Sequence, residues 1–387
     1  MTDPSIKTSR RGHLGVIELN RPRSINALDH QMSLAMERAL RQWEDDDEVA
    51  AVVVRGAGER GLCAGGDIVA IHGDGVALGG ADHADDAAAD IAAAQSPSGR
   101  FWRDEYRLNE YISRYPKPYI ALMDGIVMGG GVGISAHGNT RIVTDRTRLA
   151  MPEVGIGFVP DVGGTHLLAQ VPDQLGTYLA LTAAPINGAD AIALGLADHY
   201  IPADRLDDFV AALTDGSVSN ALAQFATESP APELGAHRDW IAEAFGGDDV
   251  AEIIERCAAI DDEFATKTAS RIAAKSPMAL AVTLRALRAS EATTELADSL
   301  RREYRVSLRT LRHPDLAEGI RAQVIDKDRT PTWQPHPAVT DEVVAAFFAP
   351  LPDAAELTFD LPVDSSIPTG ILNTDPETTS AQENSHV

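Results

Sequence analysis

Two carboxylic acids, Glu153 and Asp161, stand in the segment 151–167, which is otherwise largely apolar and rich in glycine. Carboxylates in such surroundings are costly unless they are paired or take part in a reaction. Upstream, the segment 126–138 places the three consecutive glycines Gly129–Gly131 at the expected start of a helix. Bare backbone N–H groups at a helix start can stabilise a negative charge. Together these segments predict an enzyme that builds an oxyanion and acts on it with acids and bases.

A third acid, Glu105, interrupts the apolar face of a predicted helix. The positions of residues 101–115 that share one helical stripe are Phe101, Glu105, Leu108, Ile112 and Tyr115. Glu105 could form an ion pair with Arg103 or Arg107, or it could meet a hydroxyl group of a substrate. Both interpretations stay open at this point.

Short runs of β-branched residues alternate with helical patterns in the elements that must position these acids. Segments 14–20, 50–55, 119–123 and 141–144 are typical of strands, and 29–44 has the apolar spacing of a helix. A glycine-rich loop covers 56–67. The order of these elements predicts an α/β body.

The chain divides into three parts on composition. Residues 1–203 are expected to form the catalytic core, with the Ala/Gly/Asp-rich range 73–99 as a mobile surface insertion. Residues 204–335 form a helical C-terminal region, and 336–387 a proline-rich, acidic tail that we expect to be largely disordered after residue 364. No internal repeat is evident.

The formal net charge of −25 argues against nucleic acid as a partner. Five acids in 73–99 and nine after Arg329, with no Lys or Arg in either stretch, supply 14 of those excess charges. The cysteines, Cys63 and Cys257, have no metal or redox spacing. We expect no metal and no membrane span, and the lack of an apolar leader in the first residues leads us to expect a cytoplasmic protein.

Several motifs in one order resemble the crotonase (enoyl-CoA hydratase/isomerase) superfamily. They are NRPRSINAL (20–28), CAGGDI (63–68), FWRDEYRLN (101–109), KPYIALMDGIVMGGGVGIS (117–135), MPEVGIGFVPDVGG (151–164), EYRVS (303–307) and EGIRAQVIDKDRTPTW (318–333). The segments containing Glu105 and Asp161 and the IDKD sequence resemble its 3-hydroxyisobutyryl-CoA hydrolase branch. The resemblance implies a spiral of β-β-α repeats followed by a helical C-terminal region.

The resemblance also implies roles for individual residues. The amides of Gly66 and Gly130 would hold the thioester oxygen, since glycine lets that oxygen approach the backbone closely. Glu153 matches the catalytic glutamate of the superfamily, and Glu105 and Asp161 would contact the substrate. Other interpretations are tight helix packing for the triple glycine, a surface loop for Glu153, and a helix cap near residue 164 for Asp161.

Position 133 separates the activities within the superfamily. Hydratases use a glutamate there, three residues after the oxyanion glycine, together with one at the Glu153 position. Here the residue is Gly133, which disfavours hydration. The resemblance to the hydrolase branch implies hydrolysis of a 3-hydroxyacyl-CoA, with 3-hydroxyisobutyryl-CoA in valine breakdown as the expected substrate. The alternatives are an enoyl-CoA or dienoyl-CoA isomerase, a hydratase, and a member that binds acyl-CoA without turnover.

Coenzyme A carries phosphates that need cations. By resemblance we assign this role to Arg21, Arg23 and Lys275, for which solvated surface charge is the alternative. No cofactor is expected besides the coenzyme A of the substrate. The expected partner is this acyl-CoA. Crotonase relatives commonly form trimers or hexamers whereas the hydrolase branch need not, so a homo-oligomer and a monomer both stay open. Ser135 and His137 miss the spacing of a nucleophile elbow and predict no triad.

Overall fold

The computed structural model describes residues 4–79, 87–214, 217–334 and 339–359. Strands in this part of the chain are β1 (Ile6–Arg11), β2 (Leu14–Leu19), β3 (Ala51–Gly56), β4 (Tyr119–Met123), β5 (Ile126–Met128), β6 (Thr140–Val143), β7 (Arg148–Ala150) and β8 (His199–Tyr200). Six of them form one sheet in the order β1-β2-β3-β4-β6-β8, and β5 pairs with β7 in a second sheet. The four predicted strands are confirmed as β2, β3, β4 and β6.

The large sheet is parallel apart from one edge hairpin. Strands β1 and β2 are antiparallel, with Ile6 opposite Leu19, whereas β2, β3, β4, β6 and β8 run parallel to one another. The segments after β3 and β4 therefore leave the sheet at the same edge. An isolated bridge joins Cys63 to Val127, so the glycine-rich loop lies beside β5.

Helices of the described residues supply most of the remaining layers. They are α1 (His30–Glu44), α2 (Ile68–Leu78), α3 (Ala87–Gln95), α4 (Pro97–Ser113), α5 (Gly130–Ala136), α6 (Gly164–Ala169), α7 (Leu175–Thr182), α8 (Gly188–Ala193), α9 (Leu206–Leu213), α10 (Val218–Phe225), α11 (Arg238–Ala244), α12 (Val250–Ala259), α13 (Glu263–Ala273), α14 (Pro277–Glu291), α15 (Leu296–Arg312), α16 (Pro314–Ile320) and α17 (Asp341–Ala346). A π-helical turn, Arg321–Ile325, follows α16. The α/β body and the helical C-terminal region agree with the sequence prediction.

Helix α1 shows how local sequence sets these elements. The Asp29 side chain caps its first turn by accepting a hydrogen bond from Met32 N at 2.9 Å. Met36, Leu40 and Trp43 continue the apolar face and are buried. The helix predicted over 29–44 is therefore confirmed to within one residue.

The predicted surface insertion at 73–99 differs from the structure. Residues 80–86 lie outside the described residues, but the rest of the range is largely helical, in α2, α3 and the start of α4. Asp90 on α3 is buried and pairs with Arg309 at 3.0 Å and with Arg312 at 2.7 Å on α15. Residues 87–99 are therefore packed into the fold and are not the surface insertion that the composition predicts, whereas their predicted mobility stays a prediction. The predicted disorder after residue 364 also lies outside the described residues.

Helix α15 links the helical C-terminal region to the rest of the chain. It packs against α2, α3 and α4 and also contacts α6. Its residues Leu308 and Leu311 belong to the same hydrophobic cluster as Leu28 and Val54. The core is therefore continuous across the boundary predicted at residues 203 and 204.

Candidate active site

A cavity of about 720 Å³, measured to its open mouth, lies between the glycine-rich loop, α4, α16 and the segment 152–162. Its apolar wall includes Ile71, Trp102, Phe158, Leu316 and Ile320. The rings of Trp102 and Phe158 stack with centroids 5.4 Å apart.

Two glycines that line this cavity have backbone amides with no acceptor among the described residues. Leu28 N donates to Gly65 O and Asp67 N donates to Leu28 O, both at 2.8 Å, so this bridge leaves Gly66 N–H unused. Gly130 is the first residue of α5, where an amide has no acceptor within the helix. Among the hydrogen bonds of the described residues, neither amide is a donor. A Cβ on Gly130 would lie 3.5 Å from Gly66 N, so both amides border one space.

Carboxyl groups stand close to these glycines. A Cβ on Gly130 would lie 2.6 Å from Glu105 Oε1, and a Cβ on Gly129 would lie 2.8 Å from Glu153 Oε1. These separations are shorter than van der Waals contact, so side chains larger than hydrogen would displace the acids. The triple glycine also packs tightly, because a Cβ on Gly131 would meet Cys63 O at 2.6 Å. Tight packing therefore explains the glycine at position 131, whereas Gly129 and Gly130 make room for the acids.

Glu105 is buried on α4, and its Oε1 has no hydrogen-bond partner among the described residues. Arg103 and Arg107 instead bond to Asp104, at 3.0 and 3.4 Å. The alternative of an ion pair at Glu105 is therefore wrong. Burial raises the pKa of Glu105 well above its ordinary value, and the nearby carboxyl of Asp161 raises it further.

Glu153 begins the 3₁₀ turn Glu153–Ile156, directly after Pro152. The residue is buried, 7% exposed, which excludes a solvated surface glutamate. Its Oε2 has no partner among the described residues. Burial raises the pKa of Glu153 well above its ordinary value, followed by repulsion from Asp161. An upward shift of the pKa by burial is typical of carboxyls that act as catalytic acids or bases.

Asp161 lies on the loop before α6, and its Oδ2 accepts a hydrogen bond from the Tyr106 hydroxyl at 2.8 Å. Burial raises the pKa of Asp161 to about 7, and the Tyr106 hydrogen bond opposes that rise. The side chain caps no helix, because α6 is capped from α15. There the Glu303 carboxylate accepts from Gly163 N at 2.7 Å and from Thr165 N at 2.9 Å.

Glu303, Tyr106 and Ser307 support the site but are absent from the residues predicted as functional. Burial raises the pKa of Glu303 to about 8, against the lowering effect of its bonds to Thr165 and Gly163. The Tyr106 hydroxyl also lies 2.8 Å from Ser307 Oγ. One signal could have revealed two of these residues: Glu303 and Ser307 are polar, buried and four residues apart on α15.

The position of the second hydratase glutamate is closed by packing. A Cβ on Gly133 would lie 2.6 Å from Val162 Cβ and 2.9 Å from Asn109 Nδ2. Val162 adopts a left-handed backbone conformation with φ of 53°, which a β-branched residue rarely does. His137 holds this conformation, with its Nε2 2.7 Å from Val162 O. A glutamate at position 133 would therefore require this loop to move.

The residues assigned to coenzyme A are not brought into the cavity. Arg21 donates to Asp67 Oδ2 at 2.8 Å and to Ala27 O at 2.7 Å, and Arg23 is exposed on a 3₁₀ turn. Lys275 Nζ lies 3.5 Å from where a Cβ on Gly155 would be. Lys275 borders a separate cavity next to α12 and α14.

Three other features bear on the chemistry. Ser135 Oγ donates to Gly131 O at 2.6 Å, whereas His137 bonds to Val162 O, so these two residues form no triad. In the described part of the chain, no group of three or more His, Cys, Asp or Glu side chains is arranged to hold a metal ion. No helix there is long and apolar enough to cross a membrane.

Sequence comparison gives relatives over most of the chain. The family model for enoyl-CoA hydratase/isomerase matches residues 14–348. The human protein named 3-hydroxyisobutyryl-CoA hydrolase, mitochondrial, is 37% identical over 337 residues, which cover 84% of this chain and 83% of the human one. The Gallus gallus protein of the same name is 36% identical and covers 88% of each chain.

Two solved structures share the fold. A carnitinyl-CoA dehydratase from Mycobacterium thermoresistibile superposes with a TM-score of 0.85 at 50% identity, covering 92% of this chain and 99% of that one. An enoyl-CoA hydratase from Rhodobacter sphaeroides 2.4.1 superposes with a TM-score of 0.81 at 40% identity, covering 92% and 100%. The predicted crotonase-like fold is confirmed by these likenesses.

Proposed function

Because the chain belongs to the enoyl-CoA hydratase/isomerase family, we propose that it hydrolyses a short 3-hydroxyacyl-CoA thioester. We further propose 3-hydroxyisobutyryl-CoA as the substrate, which would place the enzyme in valine breakdown. One observation carries the proposal: the unused amides of Gly66 and Gly130 border the same cavity as the buried carboxyl of Glu153. The relatives named as 3-hydroxyisobutyryl-CoA hydrolases support the substrate.

In the proposed reaction, the thioester oxygen accepts hydrogen bonds from Gly66 N and Gly130 N. Preorganised donors of this kind contribute about 3 kcal/mol or more each to stabilising an oxyanion. The ionised Glu153 carboxylate then acts by one of two routes. It attacks the carbonyl carbon, the C–S bond breaks to give an acyl-glutamyl anhydride, and water hydrolyses that anhydride. Alternatively, it takes a proton from a water molecule that attacks directly. Both routes release CoA as the thiol after it gains a proton.

Glu105 and Asp161 are proposed to bind the 3-hydroxyl group of the acyl chain. Both carboxyls line the cavity, and Glu105 Oε1 has no competing partner among the described residues. A hydroxyl can donate to one carboxylate and accept from a protonated one. The raised pKa values of both acids allow one of them to stay protonated near neutral pH. The cavity therefore suits a hydroxylated acyl group better than a plain hydrocarbon chain.

Arg21, Arg23 and Lys275 remain proposed contacts for the coenzyme A phosphates. Arg21 is tied to Asp67, the residue after Gly66, and Lys275 lies beside Gly155, two residues from Glu153. Both are therefore close to segments that border the cavity without lining it. We propose no cofactor other than the coenzyme A within the substrate.

Hydration or dehydration is the second candidate, since the two structural relatives above are named as a dehydratase and a hydratase. Gly133 argues against hydration and dehydration, because these reactions use a pair of glutamates. Val162 fills the space that a glutamate side chain at position 133 would need. Incubation with 3-hydroxyisobutyryl-CoA separates the two candidates. Hydrolysis yields a free thiol that a thiol reagent detects, whereas dehydration yields an unsaturated acyl-CoA and no thiol.

The test of the proposal is Glu153→Gln, which keeps the shape of the side chain and removes its charge. Release of CoA should fall by roughly 10²-fold or more, because a nucleophile or base is lost. Glu37→Gln is the matched control: Glu37 is also buried but pairs with Arg41 on α1, away from the cavity. Near-normal turnover by the Glu153 variant would remove Glu153 from the mechanism, and with it this proposal.

The cytoplasmic location remains a proposal. The relatives with hydrolase names are named as mitochondrial proteins. Fractionation of the source cells, with the activity assayed in each fraction, would test it. Oligomerisation likewise stays a prediction, to be tested by light scattering.

A further inference from the structure

The hydroxyl group of Tyr106 lies between Asp161 and Ser307, outside the set of residues proposed above to meet the substrate. It is 2.8 Å from Asp161 Oδ2 and 2.8 Å from Ser307 Oγ, and all three groups are buried. Tyr106 directly follows Glu105 on α4, whereas Ser307 belongs to α15. Two helices distant in sequence therefore meet at the Tyr106 hydroxyl, which bonds to Asp161.

The direction of these hydrogen bonds follows from the donors available. An ionised Asp161 only accepts, and the Tyr106 hydroxyl has a single proton. Tyr106 therefore donates to Asp161, and Ser307 donates to Tyr106. The ring of Tyr106 is held by an edge contact with Tyr304, with centroids 6.1 Å apart and planes at 82°. The hydroxyl thus has one orientation, and it imposes one on the carboxyl.

The other charged or titratable groups around Asp161 do not stabilise its negative charge. Glu105 on α4, Glu153 on the 3₁₀ turn and Glu303 on α15 are carboxyls that repel a charge on Asp161 or are repelled by it. His137 contacts the next residue of the loop through Val162 O, but burial lowers its pKa to about 4, so it is neutral near pH 7. Among side chains of the described residues, the Tyr106 hydroxyl is the donor to Asp161.

We propose that Tyr106, braced by Ser307, is a positioning residue that fixes the Asp161 carboxyl toward the cavity and stabilises its ionised form. This inference rests on the proposed function, in which Asp161 meets the substrate. Its effect is electrostatic as well as steric. A hydrogen bond to a charged group is stronger than one to a neutral group, so removing it favours protonation of Asp161.

Tyr106→Phe removes the hydroxyl and keeps the ring. With 3-hydroxyisobutyryl-CoA, the acidic limb of the pH profile of kcat/KM should move upward by about one pH unit or more, because Asp161 then holds its proton to higher pH. Ser307→Ala should move it in the same direction by less. Tyr304→Phe is the matched control, since the buried Tyr304 hydroxyl donates to Gly99 O at 3.1 Å and touches no acid of the cavity. This control should leave the limb unchanged.

A second readout does not need turnover. Titration of Asp161 by pH-difference infrared spectroscopy, with Asp161→Asn used to assign the carboxyl band, should show the same upward shift in Tyr106→Phe. If the unaltered protein releases no CoA from 3-hydroxyacyl-CoAs, the proposed function fails, and the infrared titration still decides the role of Tyr106. If Tyr106→Phe does not fold, Ser307→Ala carries the test. The inference would be overturned if both the infrared titration of Asp161 and the acidic limb of kcat/KM were the same in the variant as in the unaltered protein.

Discussion

Gly130 combines two roles in one residue, because its amide borders the oxyanion space and its missing side chain makes room for Glu105. A Cβ here would lie 2.6 Å from Glu105 Oε1. Gly130→Ala is therefore expected to push Glu105 aside and to lower kcat/KM for the thioester by about 10²-fold, comparable to the loss of one oxyanion donor. Steady-state assays of CoA release measure this change.

Gly73→Ala is the matched control for Gly130→Ala. Gly73 also lies in a helix, α2, and nothing lies within 4 Å of a Cβ built on it. Activity should be unchanged and the free energy of unfolding should rise by roughly 0.5–1 kcal/mol, because alanine is the better helix former. An equal loss of activity in both variants would contradict the prediction that a side chain at position 130 acts by displacing Glu105.

The buried acids carry a cost in stability that depends on pH. The pKa of Asp161 is raised to about 7 in the folded chain, so the folded state holds a proton that the unfolded state has released above about pH 4. The free energy of unfolding should therefore fall as pH rises from about 4 to 7 and then level off. Asp161→Asn should remove this contribution, on the order of 4 kcal/mol above pH 7.

Urea unfolding at pH 5 and pH 8 tests this prediction about Asp161. From pH 5 to pH 8, the free energy of unfolding of Asp161→Asn should rise relative to that of the unaltered protein. The variant should also lose activity. Asp47→Asn, at an exposed position, should follow the unaltered protein at both. The prediction about Asp161 fails if the gap between Asp161→Asn and the unaltered protein is the same at pH 5 and at pH 8.

At the scale of elements, α3 shows where local sequence stops being informative. Its Ala- and Asp-rich sequence suggested a surface insertion, yet Asp90 is buried between Arg309 and Arg312. Those partners lie more than 200 residues away, so no local pattern could reveal them. The apolar strands and α1, by contrast, are encoded by their own periodicity and capping.

The same contrast applies to the candidate site. Glu105 and Glu153 could be identified because each is an acid inside an apolar pattern, and the structure lines one cavity with both. Tyr106 could not be identified, since an aromatic residue on an apolar helix face is ordinary core. Its importance follows from Asp161 and Ser307, which other elements bring to it.

The ion pairs of Asp90 predict how firmly α3 is held. Asp90→Ala would remove the carboxylate that pairs with both buried arginines, and breaking a buried ion pair in this way typically costs 3–5 kcal/mol in free energy of unfolding. Asp298→Ala is the control, because Asp298 pairs with Arg301 on the exposed face of α15. Such surface pairs contribute about 1 kcal/mol or less. Urea titration followed by circular dichroism compares the two, and similar losses would contradict the buried role of Asp90.

At the scale of the whole molecule, the candidate site belongs to both regions predicted from composition. The acids and glycines of the cavity come from residues before 204, whereas Leu316 and Ile320 on α16 close its apolar wall. Glu303 on α15 caps α6 and thereby holds the loop that carries Asp161. The helical C-terminal region is therefore part of the site and does more than extend the fold.

This shared construction predicts that the two regions unfold together. Since one hydrophobic cluster spans the boundary, burial on either side depends on the other, and unfolding should be a single cooperative transition. Pulsed hydrogen exchange with mass spectrometry, across a urea series, would follow β4 and α15 in the same sample. Both elements should lose protection at the same urea concentration, and release of CoA should vanish there too. Loss of protection in α15 at lower urea, with β4 still protected and turnover intact, would mean that the C-terminal helices are an independent unit and that Glu303 is dispensable for the site.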